Sequence, residues 1–206
     1  MHLQHKTVFF ANKIFYVYEN VYEPAEDSFL FAENLEVKNG DVVLDMGTGC
    51  GILGIIAAIR ASKVIAVDIN PHAIRCAKEN AIRNKVADKI MLVQGNLFAP
   101  LKMKRLFDLI IFNAPYLPTR NTGKLSWIEY AWCGGLNGRR VIDRFICDAP
   151  RYLKVSGRVL LMQSNLSGID ETMQKFKGVG MKAKIIAELN LPFFEKVVLF
   201  DAEWQV

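Results

Sequence analysis

Four short segments carry most of the side chains able to do chemistry. The first is Asp45-Met46-Gly47-Thr48-Gly49-Cys50-Gly51, an acid followed by three glycines at alternate positions. Glycines so spaced let a backbone turn sharply and approach a ligand closely, because no Cβ stands in the way. The second is Asp68, which ends the next apolar run and is suited to accept hydrogen bonds from both hydroxyls of a ribose. The third is Gly95-Asn96-Leu97-Phe98, where Asn96 can accept from an adenine amino group while Leu97 and Phe98 offer an apolar wall to the ring. The fourth, Asn113-Ala114-Pro115-Tyr116, follows the apolar run Leu109 to Phe112.

The glycine segment departs from the dinucleotide fingerprint G-x-G-x-x-G, whose third glycine would fall on Ile52. An acid at its head would repel a pyrophosphate, but it suits the cationic amino group of S-adenosylmethionine. Asp45, Gly47, Gly49, Asp68, Asn96 and Leu97 are therefore the expected contacts of that cofactor.

These segments need a scaffold that gathers them at one edge. Short alternating stretches at 7–10 and 14–18 flank Ala11-Asn12-Lys13 and predict a hairpin, and an apolar stripe predicts a helix over 25–35. Strand and helix signals then alternate: strands over 42–45, 63–68, 89–93, 107–112 and 157–163, helices over 51–60, 71–84, 139–153 and 170–177. Asn70 and Pro71 read as N-cap and first residue of the 71–84 helix. A polar loop covers 113–137, and 183–189 and 194–200 read as closing strands joined at Leu191-Pro192. Such alternation implies a mostly parallel sheet with helices on both faces, whose ligands bind beyond the carboxyl ends of the strands.

With 206 residues, 51% of them apolar, the chain can bury a sizeable core. It reads as one domain over 1–206, with a hairpin and helix extension over about 1–36. No apolar run approaches the roughly 20 residues of a membrane span, and no signal peptide opens the chain, so a cytoplasmic protein is expected. Cys50, Cys76, Cys133 and Cys147 are scattered and are expected as free thiols. His2 and His5 lack a third ligand nearby, so no metal is expected, and His72 reads as a surface residue. The net charge of +5 permits an acidic partner such as RNA without demanding one, and the basic run Lys102 to Arg105 reads as a solvated turn.

The fourth segment resembles the (N/D)PPY motif of methyltransferases acting on planar nitrogens: adenine N6, guanine N2 or a glutamine amide. The chemistry suits those residue types. The lone pair of such a nitrogen is delocalised, and acceptors for its two N–H groups free that pair for attack. The Asn113 carboxamide oxygen and the Ala114 carbonyl are the expected acceptors, and Pro115 and Tyr116 would stack on the planar group. Two further stretches, Val21-Tyr22-Glu23-Pro24-Ala25-Glu26-Asp27-Ser28 and Ala131-Trp132-Cys133-Gly134-Gly135-Leu136-Asn137-Gly138-Arg139-Arg140-Val141-Ile142-Asp143-Arg144-Phe145, resemble the HemK-related release-factor glutamine methyltransferases, in particular their short archaeal and eukaryotic branch.

That resemblance spans roughly 22–145 and implies a Rossmann-like class I methyltransferase sheet with one antiparallel strand near the C-terminus. It implies N5-methylation of the glutamine in the Gly-Gly-Gln loop of a peptide-chain release factor. It also implies that Ser28, Asp45, Gly47, Asp68, Asn96, Leu97 and Asn113 line the cofactor site, with Asn113 to Tyr116 facing the glutamine. The third strand, Ile90-Met91-Leu92-Val93, is expected at a sheet edge, where the resembling branch docks a small zinc-binding activator subunit. Three residues depart from the family pattern: Ala114 stands for the usual Pro, Asn96 for Asp, and Arg140 for an acid. Competing readings are an N-methyltransferase acting on adenine or guanine in RNA or DNA, and a non-catalytic scaffold that keeps only the cofactor fold.

Overall fold

The computed structural model describes residues 5–120 and 123–205. Strands β1 (His5–Phe10) and β2 (Lys13–Tyr18) form the expected hairpin, closed by Ala11 and Asn12 at φ 47° and 59°. Two successive left-handed residues match the right-handed twist of paired strands, as two-residue hairpin turns require. Helix α1 (Glu26–Glu33) follows, stopped earlier than expected at Asn34, whose Nδ2 donates to the Leu30 carbonyl at 2.8 Å.

The main sheet has seven strands: β3 (Val42–Met46), β4 (Lys63–Asp68), β5 (Ile90–Gln94), β6 (Phe107–Asn113), β7 (Leu153–Ser164), β8 (Met181–Asn190) and β9 (Lys196–Trp204). Their order is β5-β4-β3-β6-β7-β9-β8, parallel throughout except for β9, which runs antiparallel to both neighbours. The connections carry α2 (Ile52–Ala57), α3 (Pro71–Arg83), α4 (Ile142–Asp148) and α5 (Ile169–Gly178).

Alternation along the strands divides the core into two layers. Val43, Leu109, Ile111, Leu160 and Met162 point to one face and pack with the β1–β2 hairpin, α1, α2 and α3. Leu44, Met46, Ile110, Phe112 and Leu161 point to the other, against Ile142 and Phe145 of α4 and Phe176 of α5. Each such fully buried side chain contributes roughly 1.5–3 kcal/mol.

Several expected boundaries shift for local reasons. The helix expected over 139–153 is only α4; Pro150 removes an N–H, the chain tightens into a 3-10 turn at Ala149–Arg151, and β7 begins at Leu153. The helix expected over 51–60 is held to Ile52–Ala57, with Gly51 in the left-handed region before it. The closing strand starts at Lys196 rather than 194, because Phe193 and Phe194 have φ 60° and 62° and cannot continue a ladder. Within the loop expected over 113–137 lie a 3-10 turn, Glu129–Ala131, and a bridge between Leu117 and Cys133.

Cys50, Cys76 and Cys133 are buried free thiols and Cys147 an exposed one. His2 lies outside the described residues, while His5 stacks on Tyr16. No helix among the described residues is long and apolar enough to cross a membrane.

Candidate active site

The carboxyl ends of β3, β4, β5 and β6 converge on one cavity of about 730 Å³. Ser28, Gly47, Gly49, Asp68, Asn96, Leu97, Asn113, Ala114, Pro115 and Tyr116 all line it. Asp45 does not: its side chain lies under the glycine loop, 1% exposed, where its Oδ2 accepts from Thr48 Oγ1 at 2.6 Å and Gly54 N at 3.0 Å. Phe98, expected as a wall for a ring, instead turns into the core and stacks on Tyr152 and Phe145. Leu97, at φ 50°, keeps its place on the cavity.

The loop geometry follows from the glycines. Gly47 sits at φ 65°, and a Cβ there would lie 3.0 Å from the Phe112 ring. The next strand end is tied to the same loop, since Asp68 Oδ2 accepts from Gly49 N at 2.9 Å and Oδ1 from Asn70 N at 2.8 Å. Withdrawal from water raises the affinity of both carboxyls for a proton, Asp45 to about 7, Thr48 and Gly54 opposing the shift and Asp68 adding to it. Their hydrogen-bond donors are backbone N–H groups and one hydroxyl, with no cationic side chain among them. Two under-compensated acids and close backbone approach fit a cationic, ribose-bearing ligand, and S-adenosylmethionine is one.

The fourth strand end is organised by a residue that sequence reasoning passed over. Asp27, in the first turn of α1, is 5% exposed. Its Oδ2 accepts from Asn113 Nδ2 at 3.0 Å and from the Tyr116 hydroxyl at 3.1 Å. Its Oδ1 accepts from Ser28 N at 2.6 Å and from the Tyr22 hydroxyl at 3.3 Å. An ionised carboxylate only accepts, so the Asn113 amide must present its NH2 to Asp27 and turn its oxygen away. That oxygen, Asn113 Oδ1, is buried and has no hydrogen-bond partner among the described residues. Burial and the neighbouring Asp27 charge raise the Tyr22 and Tyr116 hydroxyls, so both remain protonated donors. Asp27 falls within a stretch visible in the sequence, but only its distance from residues 86 and 89 positions away along the chain gives it a role.

The region after Tyr116 closes over this end. Gly138 sits at φ 74°, and a Cβ there would overlap the Tyr116 carbonyl oxygen and lie 2.8 Å from Ser167 Cβ. The adjoining Arg139 donates to the Ser167 and Gly168 carbonyls at 2.6 and 2.9 Å and pairs with Asp143 at 2.7 Å, fastening the loop to the far side of the sheet. Arg140, one of the departures from the family pattern, lines the cavity and donates to the Cys133 carbonyl at 3.3 Å. Trp127 and Tyr130 form an aromatic wall, ring centroids 5.8 Å apart, and His72 meets the Trp127 edge. Below, Asn80 is wholly buried and fully used. It takes Tyr16 N at 2.8 Å and gives to the Tyr16 and Cys50 carbonyls at 2.7 and 2.9 Å, tying hairpin, α3 and glycine loop together.

Comparison with known proteins agrees with this geometry. A family model for ribosomal protein L11 methyltransferase (PrmA) matches residues 27–114. A Methanocaldococcus jannaschii protein, provisionally named a protein N5-glutamine methyltransferase, is 46% identical over 186 residues, 89% of this chain and 92% of its own. Methyltransferase HEMK2 of Homo sapiens is 34% identical over 181 residues, 80% of this chain and 81% of its own. Among solved structures, the E. cuniculi Mtq2–Trm112 complex, responsible for methylation of the termination factor eRF1, superposes with a TM-score of 0.68 at 23% identity, covering 90% of this chain and 99% of the other. The M. jannaschii tRNA m1G37 methyltransferase gives 0.74 at 20% identity, over 100% and 56%. Likeness at those identities shows the class I methyltransferase fold. The sequence relatives show more: the chain belongs to the HemK-related family of protein N5-glutamine methyltransferases.

Proposed function

We propose that this chain uses S-adenosylmethionine to methylate N5 of the glutamine in the Gly-Gly-Gln loop of a peptide-chain release factor. The observation that carries the reading is Asn113, a residue lining the nucleoside cavity: its NH2 is held by Asp27, and its oxygen is buried with no hydrogen-bond partner among the described residues. Leaving a buried acceptor unpaired costs about 1–3 kcal/mol, which an incoming N–H recovers.

S-adenosylmethionine, when bound, supplies an electrophilic sulfonium methyl, so the protein has little bond chemistry of its own to perform. Asp68 takes the ribose hydroxyls, Asn96 and Leu97 receive the adenine, and Ser28 with the Gly47–Gly49 loop holds the amino-acid end. Asp45 supports that loop from beneath and places a negative charge behind it. Asn113 Oδ1 and the Ala114 carbonyl accept the two glutamine N–H groups, drawing the nitrogen out of conjugation, while Pro115 and Tyr116 hold the amide plane. Positioning of the nitrogen and placement of charge supply the rate. Asp27 keeps the Asn113 oxygen oriented for this.

β5 ends the sheet, with Met91 48% exposed. Its unpaired backbone groups suit addition of a strand from a small partner subunit of the zinc-binding kind. The E. cuniculi relative was solved as a complex with Trm112, which supports this.

Methyl transfer from labelled cofactor to a release factor, to RNA and to DNA tests the reading. Incorporation into the release factor alone is expected, and preferential labelling of nucleic acid would contradict it.

A further inference from the structure

The β8–β9 connection, Leu191-Pro192-Phe193-Phe194-Glu195, presents two aromatic side chains to solvent: Phe193 is 96% and Phe194 99% exposed. Both have φ near 60°, a region that bulky residues rarely occupy. The strained turn is nonetheless well braced. Leu191 N donates to the Glu195 carbonyl at 2.8 Å, Asn165 Nδ2 to the Phe194 carbonyl at 3.3 Å, and Lys196 N to Asn165 Oδ1 at 2.8 Å. Leu166, beside Asn165, adds a half-exposed apolar side chain.

The position of this tip gives it meaning. In the sheet, Asn113 pairs with Met162, Ser164 with Val197, and Asn190 with Lys196. The tip therefore projects from the same carboxyl edge as the cavity, on strands two and three places from β6, or about 10–15 Å sideways. Leu191 packs into the apolar cluster that Tyr116 also touches. Yet neither phenylalanine lines the cavity. A side chain reaching Asn113 leaves them untouched, whereas the protein surface that carries that side chain does not.

We infer that Phe193 and Phe194 form a docking knob for the folded protein that delivers the glutamine, received in an apolar depression flanking its loop. This rests on the glutamine reading above. An aromatic pair is suited to the task, because each ring offers a large apolar area through few rotatable bonds. A second copy of this chain is the alternative occupant, and a two-residue convex knob lacks the self-complementary surface that a symmetric pair requires.

The test is the double variant Phe193→Ser/Phe194→Ser of the full chain, assayed with the small partner subunit supplied and a folded peptide-chain release factor as acceptor. Both sites are exposed, so the thermal midpoint and cofactor affinity of the variant should match the wild type. The expected result is a KM for the release factor raised roughly tenfold or more, with kcat at saturating acceptor unchanged. Unchanged KM with active wild type overturns the docking knob alone. Loss of a wild-type dimer in the variant, without a KM change, also overturns it. A wild type that transfers no methyl to the release factor even with the small partner subunit supplied overturns the glutamine reading and the knob with it.

Discussion

Replacing Asp27 by Asn changes one charge and almost no volume, yet it should reverse the polarity of the amide beside it. In the native site Asp27 Oδ2 receives the Asn113 NH2 at 3.0 Å and the Tyr116 hydroxyl at 3.1 Å, while Oδ1 receives Ser28 N at 2.6 Å. In Asp27→Asn the substituted oxygen stays with the fixed backbone donor of Ser28, so its NH2 confronts the NH2 of Asn113. The Asn113 amide flips to accept, and the group presented to the substrate becomes a donor. A lost hydrogen bond to a charged group is worth about 1.5–3 kcal/mol, a fall of roughly 10- to 150-fold in kcat. Single-turnover transfer from labelled cofactor measures it, with calorimetric cofactor affinity and thermal midpoint as controls. A kcat within about threefold of wild type would refute the argument.

The remaining predictions concern charge and packing. Asp45 has its pKa raised from 3.8 to about 7, first by burial, so the folded chain binds that proton more tightly than the unfolded one. Its contribution to stability is full below about pH 4 and lost as pH rises to about 7, at most ~4 kcal/mol, and Asp45→Asn should flatten urea-melt stability over that window. Cofactor affinity should rise over the same interval, because a cationic ligand favours the ionised acid; a flat calorimetric profile would count against it. Gly138→Ala forces a side chain onto the Tyr116 carbonyl at φ 74°, and urea unfolding should show a loss of about 2–4 kcal/mol. Asn80→Ala strands the Tyr16 N–H and the buried Cys50 carbonyl and leaves the Tyr16 carbonyl only the Cys76 thiol, and a thermal scan should show destabilisation of about 2–4 kcal/mol.

What was legible in the sequence was whatever repeats locally. The alternation of strands and helices, the Asn70 cap, which accepts from His72 N at 2.9 Å, and the turn at Ala11-Asn12 are all short-range effects, and each is present, although α2 and α4 are shorter than expected and β7 begins earlier. The edge position expected for 90–93 came from the usual strand order of the resembling fold, and β5 does end the sheet. Asp45 was legible as an acid, but its place beneath the loop was not, because that depends on Gly54 nine residues away supplying an N–H. Asp27 was hidden for the same reason on a longer scale, and Phe98 pointed inward because Leu97 takes a left-handed backbone that redirects the chain. Ala114, in place of the family's proline, has a counterpart in the structure: its N–H makes a 3.4 Å contact to the Met162 carbonyl that proline would lack.

The central claim is that cofactor methyl and glutamine amide meet at Asn113. Tandem mass spectrometry of a release factor incubated with the chain and S-adenosylmethionine tests it directly, alongside Asn113→Ala. One methyl on the Gly-Gly-Gln glutamine, absent with the variant although it still binds cofactor, is the predicted result. A methyl on any other residue, or equal modification by the variant, would contradict the account.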